Sequence, residues 1–313
     1  MKIGIIDVGS NTIRLVVYLW NGKKLQKQQN IKRRAQSVKY IQARKMKPMG
    51  VSVIVDTLRE LLIIARANDC QDIRIFATAS LRNIDNHVAT KRTIEKAIGY
   101  PIDVLDGQEE SLFGFEGMKR TVQLPLTGVS VDVGGGSTEI TYFEHDQALA
   151  TISLPLGSLN LYLQHVQDVL PSTSEMVFIR QEIQTALANV HWLNQRHVET
   201  VIGIGGSSRA LMRLHQYRHA IEASIYDMSL SQDAIETYLK QIALRDADIT
   251  QIMGEHLSDR LTTLWPGALI IAEVMRKVQA QTFKLSSYGV REGYFYKRVL
   301  GAYPNGTVRP TKP

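Results

Sequence analysis

The chain has 313 residues, 37 Lys+Arg against 30 Asp+Glu, and a net charge of +7, and its length suits two domains with a core each. A hydrophobic share of 44% with 21% charged residues excludes a disordered chain and a membrane-embedded one. One cysteine, Cys70, excludes an internal disulfide and any cysteine-rich zinc site, and it favours a reducing compartment.

Residues 3–6 are a short β-rich run ending in Asp-Val-Gly, too short and too soon acidic for a signal peptide. Nothing in the chain approaches a membrane span. A cytoplasmic protein is expected. Residues 13–20 are β-branched and aromatic and predict a strand, and Asn21-Gly22 after it is a two-residue hairpin signal. A basic stretch follows. No Asp or Glu lies between Asp7 and Asp56, while Lys23, Lys24, Lys27, Lys32, Arg33, Arg34, Lys39, Arg44, Lys45 and Lys47 all fall there. These ten cations outnumber the net charge, so the rest of the chain is slightly acidic. The stretch is either a polyanion track or a solvated strand-and-loop face. Nucleic acid is disfavoured, because Tyr40 is its one aromatic residue and no nucleic-acid motif is present.

Apolar residues at helical spacing predict a helix over residues 51–67. Residues 73–77 read as a buried strand, and residues 87–98 as a helix stopped by Gly99 with Pro101 beyond. Residues 102–105 predict a strand leading into a helix over about 108–119. A second half opens with strands at 129–133, 140–143 and 149–154. Ser172 and Glu175 have capping-box spacing for a helix reaching about Asn194. Residues 198–204 predict a strand running into a glycine turn, ahead of a helix over 209–215. Residues 231–281 read as mostly helical, with Pro266 in a first turn, and 282–286 as a last strand. From Gly301 the composition is that of a frayed tail. Strands alternating with helices make the class α/β.

The two halves share a phrase. Residues 5–12 read Ile-Ile-Asp-Val-Gly-Ser-Asn-Thr, and residues 130–138 read Ser-Val-Asp-Val-Gly-Gly-Gly-Ser-Thr. Each sets an aspartate and a turn of small residues between β-rich runs. Such a turn exposes backbone N–H groups to an anion, and the aspartate can hold a cation or position water. Two such hairpins facing each other would grip a phosphate chain and its metal. Gly203-Ile204-Gly205-Gly206-Ser207-Ser208 adds a third turn, with a helix N-terminus as a further anion site.

On these residues the chain resembles the exopolyphosphatase/guanosine pentaphosphate (pppGpp) phosphohydrolase family of the actin, sugar-kinase and heat-shock-chaperone superfamily. Residues 7–12 with Arg14 look like the first phosphate motif, and residues 132–139 resemble the second. Residues 77–82 with Asn86 are similar to the family's Ala-Thr-x-x-x-Arg segment, residues 106–111 to its Gly-x-Glu-Glu-Ala segment, and residues 205–208 to its third glycine turn. Arg260 with Pro266-Gly267, and residues 286–293 including Arg291, resemble the closing motifs. Three features depart from the pattern. Asn160 stands where many members carry an arginine, Ser111 replaces an alanine, and residues 31–50 carry the basic run instead of Arg-Leu-Gly.

The resemblance implies two actin-like (ribonuclease H-like) domains with a phosphate-binding cleft between them. The first would hold residues 1–122 plus 295–313, and the second 123–294. It also implies a homodimer. Glu110 is then the base that activates water, while Glu109 stabilises a helix dipole. Asp7 and Asp132 are candidate Mg²⁺ carboxylates. Ser10, Asn11, Thr12, Arg82, Gly134, Gly135, Gly136, Ser137, Gly205, Gly206, Ser207 and Arg260 are candidate phosphate contacts. Neither Ser137 nor Ser207 lies in Gly-x-Ser-x-Gly, so these two read as donors and not nucleophiles. Zinc hydrolysis has little support. His215 and His219 have i, i+4 spacing but no Glu beside His215 and no third ligand, and they read as a solvated helix face. Cys70 reads as buried and inert. The expected activity is exopolyphosphatase. The alternatives are a pppGpp 5′-phosphohydrolase, a kinase of the same superfamily and a non-catalytic polyanion binder.

Overall fold

The computed structural model describes residues 1–300. The frayed tail expected from Gly301 lies outside them. The chain divides into two compact units, Met1–Glu110 with the segment that starts at Tyr294, and Ser111–Gly293.

The first unit runs β1 (Lys2–Val8), β2 (Ile13–Trp20), β3 (Leu25–Arg33), β4 (Ile41–Gln42), β5 (Lys45–Met46), α1 (Pro48–Ala67), β6 (Asp72–Ala77), α2 (Ala79–Arg82), α3 (His87–Ile98), β7 (Asp103–Val104) and the start of α4 (Gly107–Met118). Its five-stranded sheet has the order β3-β2-β1-β6-β7. The β1–β2 and β2–β3 pairs are antiparallel, and β1–β6 and β6–β7 are parallel. Pleating sends Ile6, Val8, Leu15, Val17 and Ile75 to one face, where Ile54, Leu58 and Leu61 of α1 and Ile94 of α3 cover them. The other face carries Trp20 and Phe76, which pack on Phe295 (5.3 Å between ring centres) and Tyr294 (4.9 Å). The β2–β3 connection is four residues, not two. The side chain of Asn21 accepts from the amides of Lys23 (3.0 Å) and Lys24 (2.7 Å), which closes a longer loop than Asn-Gly alone specifies.

Among the described residues strand β3 is an edge, and its residues 26–30 are exposed. The basic stretch is less free than its composition implies. Arg33 chelates Glu60 of α1 (Nε 3.0 and 3.1 Å, Nη2 2.5 Å), and Arg44 pairs with Asp85 (3.0 Å).

The second unit holds the rest of α4, then β8 (Thr127–Val133), β9 (Thr138–Glu144), β10 (Gln147–Leu154), α5 (Ser158–His165), α6 (Thr173–Ala188), β11 (Thr200–Ile204), α7 (Gly205–Arg218), β12 (Ser229–Ser231), α8 (Gln232–Ala243), α9 (Ala247–His256), α10 (Leu264–Lys277), β13 (Thr282–Leu285) and α11 (Val290–Tyr294, whose last residue falls to the first unit). The sheet order is β10-β9-β8-β11-β13-β12. As in the first unit, a β-hairpin comes first and a parallel strand joins it after a helical crossover. The Ser172–Glu175 capping box forms, with Glu175 N donating to Ser172 Oγ and Ser172 N to Glu175 Oε2. Its helix ends at Ala188 instead of about Asn194, and a 3₁₀ turn over His191–Gln195 takes up the remainder.

Residues 264–275 of α10 are buried on every side, as a central helix requires. Truncating Leu269 to alanine is expected to lower unfolding free energy by about 2–5 kcal/mol in urea titrations, while Leu149→Ala, half-exposed on β10, changes it by less than about 0.5 kcal/mol.

Of the histidine pair read as a solvated face, His219 is exposed but His215 is half-buried. Both rings meet the hydroxyl of Tyr238, His215 through Nδ1 (2.6 Å) and His219 through Nε2 (3.0 Å). Burial, and then His219, hold the His215 imidazole below its ordinary value. The unfolded chain therefore takes up a proton that the folded one resists. Stability should fall as pH drops below about 6.5, and thermal melts should show that slope reduced in His215→Gln.

Candidate active site

Each unit builds its glycine turn in the same way. In the first, β1 and β2 are joined by residues 9–12, closed by Gly9 N donating to Thr12 O (3.1 Å). In the second, β8 and β9 are joined by residues 134–137, closed by Gly134 N donating to Ser137 O (2.9 Å). Asp7 stands opposite Arg14 and Asp132 opposite Glu139, in equivalent register.

The carbonyls of both turns are captured from one side. Ser37 Oγ donates to Gly9 O (3.4 Å) and Ser10 O (3.3 Å), Val38 N to Ser10 O (3.3 Å) and Gln36 N to Asn11 O (2.9 Å). In the second unit the N-terminus of α5 does this. Ser158 donates to Gly134 O through N and Oγ (2.9 Å each), and Leu159 N and Asn160 N donate to Gly135 O (3.1 Å each). The peptides are trans, so each N–H points opposite to the carbonyl of its own plane. The amides of Ser10, Asn11 and Thr12, and those of Gly135 and Gly136, therefore face away from the backing segments. Position 157 must be glycine here, because a Cβ would strike Gly135 O. Asn160 holds this turn through its backbone whatever its side chain, and its buried Oδ1 has no hydrogen-bond partner.

In the first unit Arg82 and Glu110 meet. Arg82 Nη1 donates to Glu110 Oε2 (2.5 Å) and to Leu105 O (3.2 Å), with the two side chains 15% and 10% exposed. The neighbouring glutamate has another task. Glu109 N donates to Asp106 Oδ1 (2.8 Å) and Asp106 N to Glu109 Oε2 (3.2 Å), a capping box at the start of α4. Arg298 also pairs with Glu109. Arg14 lies between Asp7 and Lys32 in a cross-strand row.

In the second unit the third glycine turn does not precede a helix but is its first turn. Helix α7 begins at Gly205 with no side-chain cap, so its first amides lack intrahelical partners. Gly205 has φ +83°, and a Cβ there would strike Asp132 Oδ1. Arg260 lies over Gly206, since a Cβ on that residue would come within 2.8 Å of Nη1. Two predicted hydroxyl donors point elsewhere. Ser207 Oγ donates to Val133 O (3.0 Å) and Ser137 Oγ to Glu139 Oε1 (2.7 Å), and both serines are buried.

Sequence reasoning missed Ser37, Ser158 and Arg209. Ser37 and Ser158 act through partners remote in sequence, so no local pattern marks them. Arg209 sits four residues after Gly205, one helical turn on and on the same face. Burial and the like charge of Arg291 lower its pKa, against the raising influence of Tyr226, Asp132 and Glu292. Its position after a glycine turn was the available signal. Cys70 is half-buried, and burial pushes its thiol up to about 11.

Among the described residues no three His, Cys, Asp or Glu side chains gather as a metal site. A metal would rest on one or two carboxylates plus phosphate oxygens and waters, a donor set that suits Mg²⁺. Asp132, set against a residue with no side chain, fits that use.

Exopolyphosphatase 1 of Mycobacterium tuberculosis is 24% identical over 314 residues, spanning 98% of this chain and 91% of that protein. The Mycobacterium leprae protein of the same name is 24% identical over 313 residues, covering 98% and 92%. An exopolyphosphatase structure from Cytophaga hutchinsonii superimposes with a TM-score of 0.84 at 20% identity, covering 96% of this chain and 98% of that one. The Aquifex aeolicus member of the Ppx/GppA family gives 0.76 at 20% identity, covering 97% and 99%. The two α/β units are thus of the expected actin-like type. The model described as Ppx/GppA phosphatase family matches residues 25–302, and this chain belongs to that family.

Proposed function

We propose that this protein is an exopolyphosphatase, hydrolysing the terminal phosphoanhydride of inorganic polyphosphate. The observation that carries this is the division of labour at the start of α4. Glu109 is consumed by the helix cap, whereas Glu110 is buried with a carboxylate oxygen on Arg82. A buried carboxylate spared from capping is available to take a proton from water.

In the step proposed, water oxygen attacks the terminal phosphorus and passes a proton to Glu110. The bridging P–O bond breaks, and the shortened chain leaves with the electron pair. Arg82 is the guanidinium that would exchange its bond to Glu110 for a phosphate oxygen. The outward amides of residues 10–12 and of 135–136, with the first turn of α7, supply neutral donors that need no reorganisation. Asp7 in the first unit and Asp132 in the second are each a carboxylate that would suit Mg²⁺, which when bound neutralises phosphate charge. The preference for polyphosphate over pppGpp rests on the cationic strand beside the first turn, where Ile13 pairs with Arg33 and Arg14 with Lys32. An extended polyanion gains more from such a track than a nucleotide does.

Phosphate release with Mg²⁺ should be faster from polyphosphate than from pppGpp, and Glu110→Gln, checked for folding by circular dichroism, should lower kcat by about 10²–10⁴-fold. Undiminished release by the variant would remove Glu110 from the reaction. The ion pairs refine the role of the basic strand. Neutralising Lys32 and Arg34 together should weaken binding of long polyphosphate more than of tripolyphosphate. Arg33→Gln, which loses a bond to Glu60, should act mainly on thermal stability.

A further inference from the structure

The repeated phrase is accompanied by a repeated device that the sequence does not display. Where β1 leaves its parallel ladder with β6, the carbonyl of Val8 accepts from Ser80 Oγ (2.6 Å). Where β8 leaves its ladder with β11, the carbonyl of Val133 accepts from Ser207 Oγ (3.0 Å). Val8 and Val133 are equivalent, each preceding the first glycine of an anion turn. The serines are equivalent too. Ser80 is the third residue past the end of β6 at Ala77, and Ser207 the third past the end of β11 at Ile204. Both are buried, at 0% and 2% exposure.

We propose that Ser80 and Ser207 are paired positioning residues that fix the entry peptide of each phosphate turn, an inference that rests on the phosphate reading above. The carbonyl before each glycine lies where its strand departs from the ladder. Left free, that peptide could rotate and turn a carbonyl oxygen toward an anion. The hydroxyl holds the oxygen back. Because the plane is rigid, the amide of Gly9 or Gly134 is then aimed at the turn-closing carbonyl of Thr12 or Ser137. With the backing bonds of the later carbonyls, most of the turn's planes are set before a ligand arrives. Ser207 thus acts through backbone and not as a direct phosphate donor.

The test is calorimetric titration of the whole chain with tripolyphosphate, run beside phosphate release. Ser80→Ala and Ser207→Ala should each weaken binding about tenfold, the order expected for losing one buried hydrogen bond that orients the site. Ser80→Thr, which keeps the hydroxyl, should bind within about threefold of wild type. A folded alanine variant that binds as wild type does overturns the proposal, and so does a threonine variant as weak as the alanine one. Loss of the fold in both alanine variants makes the serines structural and overturns it as well. A wild type that neither binds nor hydrolyses tripolyphosphate overturns both this and the phosphate reading. Phosphate release by wild type with unaltered alanine variants overturns this proposal alone.

Discussion

A trans peptide carries its N–H and C=O on opposite edges of one rigid plane, so whatever captures the carbonyls of a turn also aims its amides. Both anion turns depend on that constraint. Small residues let the chain bend, but glycine alone specifies no direction. Direction comes from behind, from residues 36–38 in one unit and from the N-terminus of α5 in the other. The α5 amides that serve this purpose would otherwise be unpaired helix-start donors, so one set of bonds satisfies the helix and orients the turn.

The charged groups follow the second constraint of a buried site, that ions removed from water need partners. Glu110 has Arg82. Glu139 accepts from Ser137 and Ser153, each at 2.7 Å. Asp132 sits against Gly205, with the charge of Arg209 acting on the same neighbourhood. In the first unit the Arg82 guanidinium is already engaged by the Glu110 carboxylate, so under the proposed function a phosphate would compete with that carboxylate for it.

Much of the frame was legible because strong periodicity and capping survive tertiary context. The β2 strand and the α3 helix fall where pattern placed them, and the Ser172–Glu175 box formed. The elements that escaped are short or set by remote partners. Helix α5 is eight residues long, and β12 is three. The Asn21 loop lengthened because a side chain competed with the backbone for two amides. At Glu109 and Glu110 the sequence offers identical residues side by side, yet Asp106 three residues before Glu109 already marks which one caps the helix. The partial burial of His215 is not legible locally because Tyr238, whose hydroxyl meets both rings, lies on another helix.

The exposed edge of β3 has a consequence of another kind. A sheet's edge strand is a template on which a second chain can add as a further strand, and lysines along it are a common guard. Residues 26–30 present that edge, with Lys23, Lys24 and Lys27 at its far end and Lys32 at the other. The charge of this strand therefore helps keep the sheet from growing between molecules. Removing the charge of these lysines would withdraw the repulsion, so colloidal solubility depends on the charge of one strand.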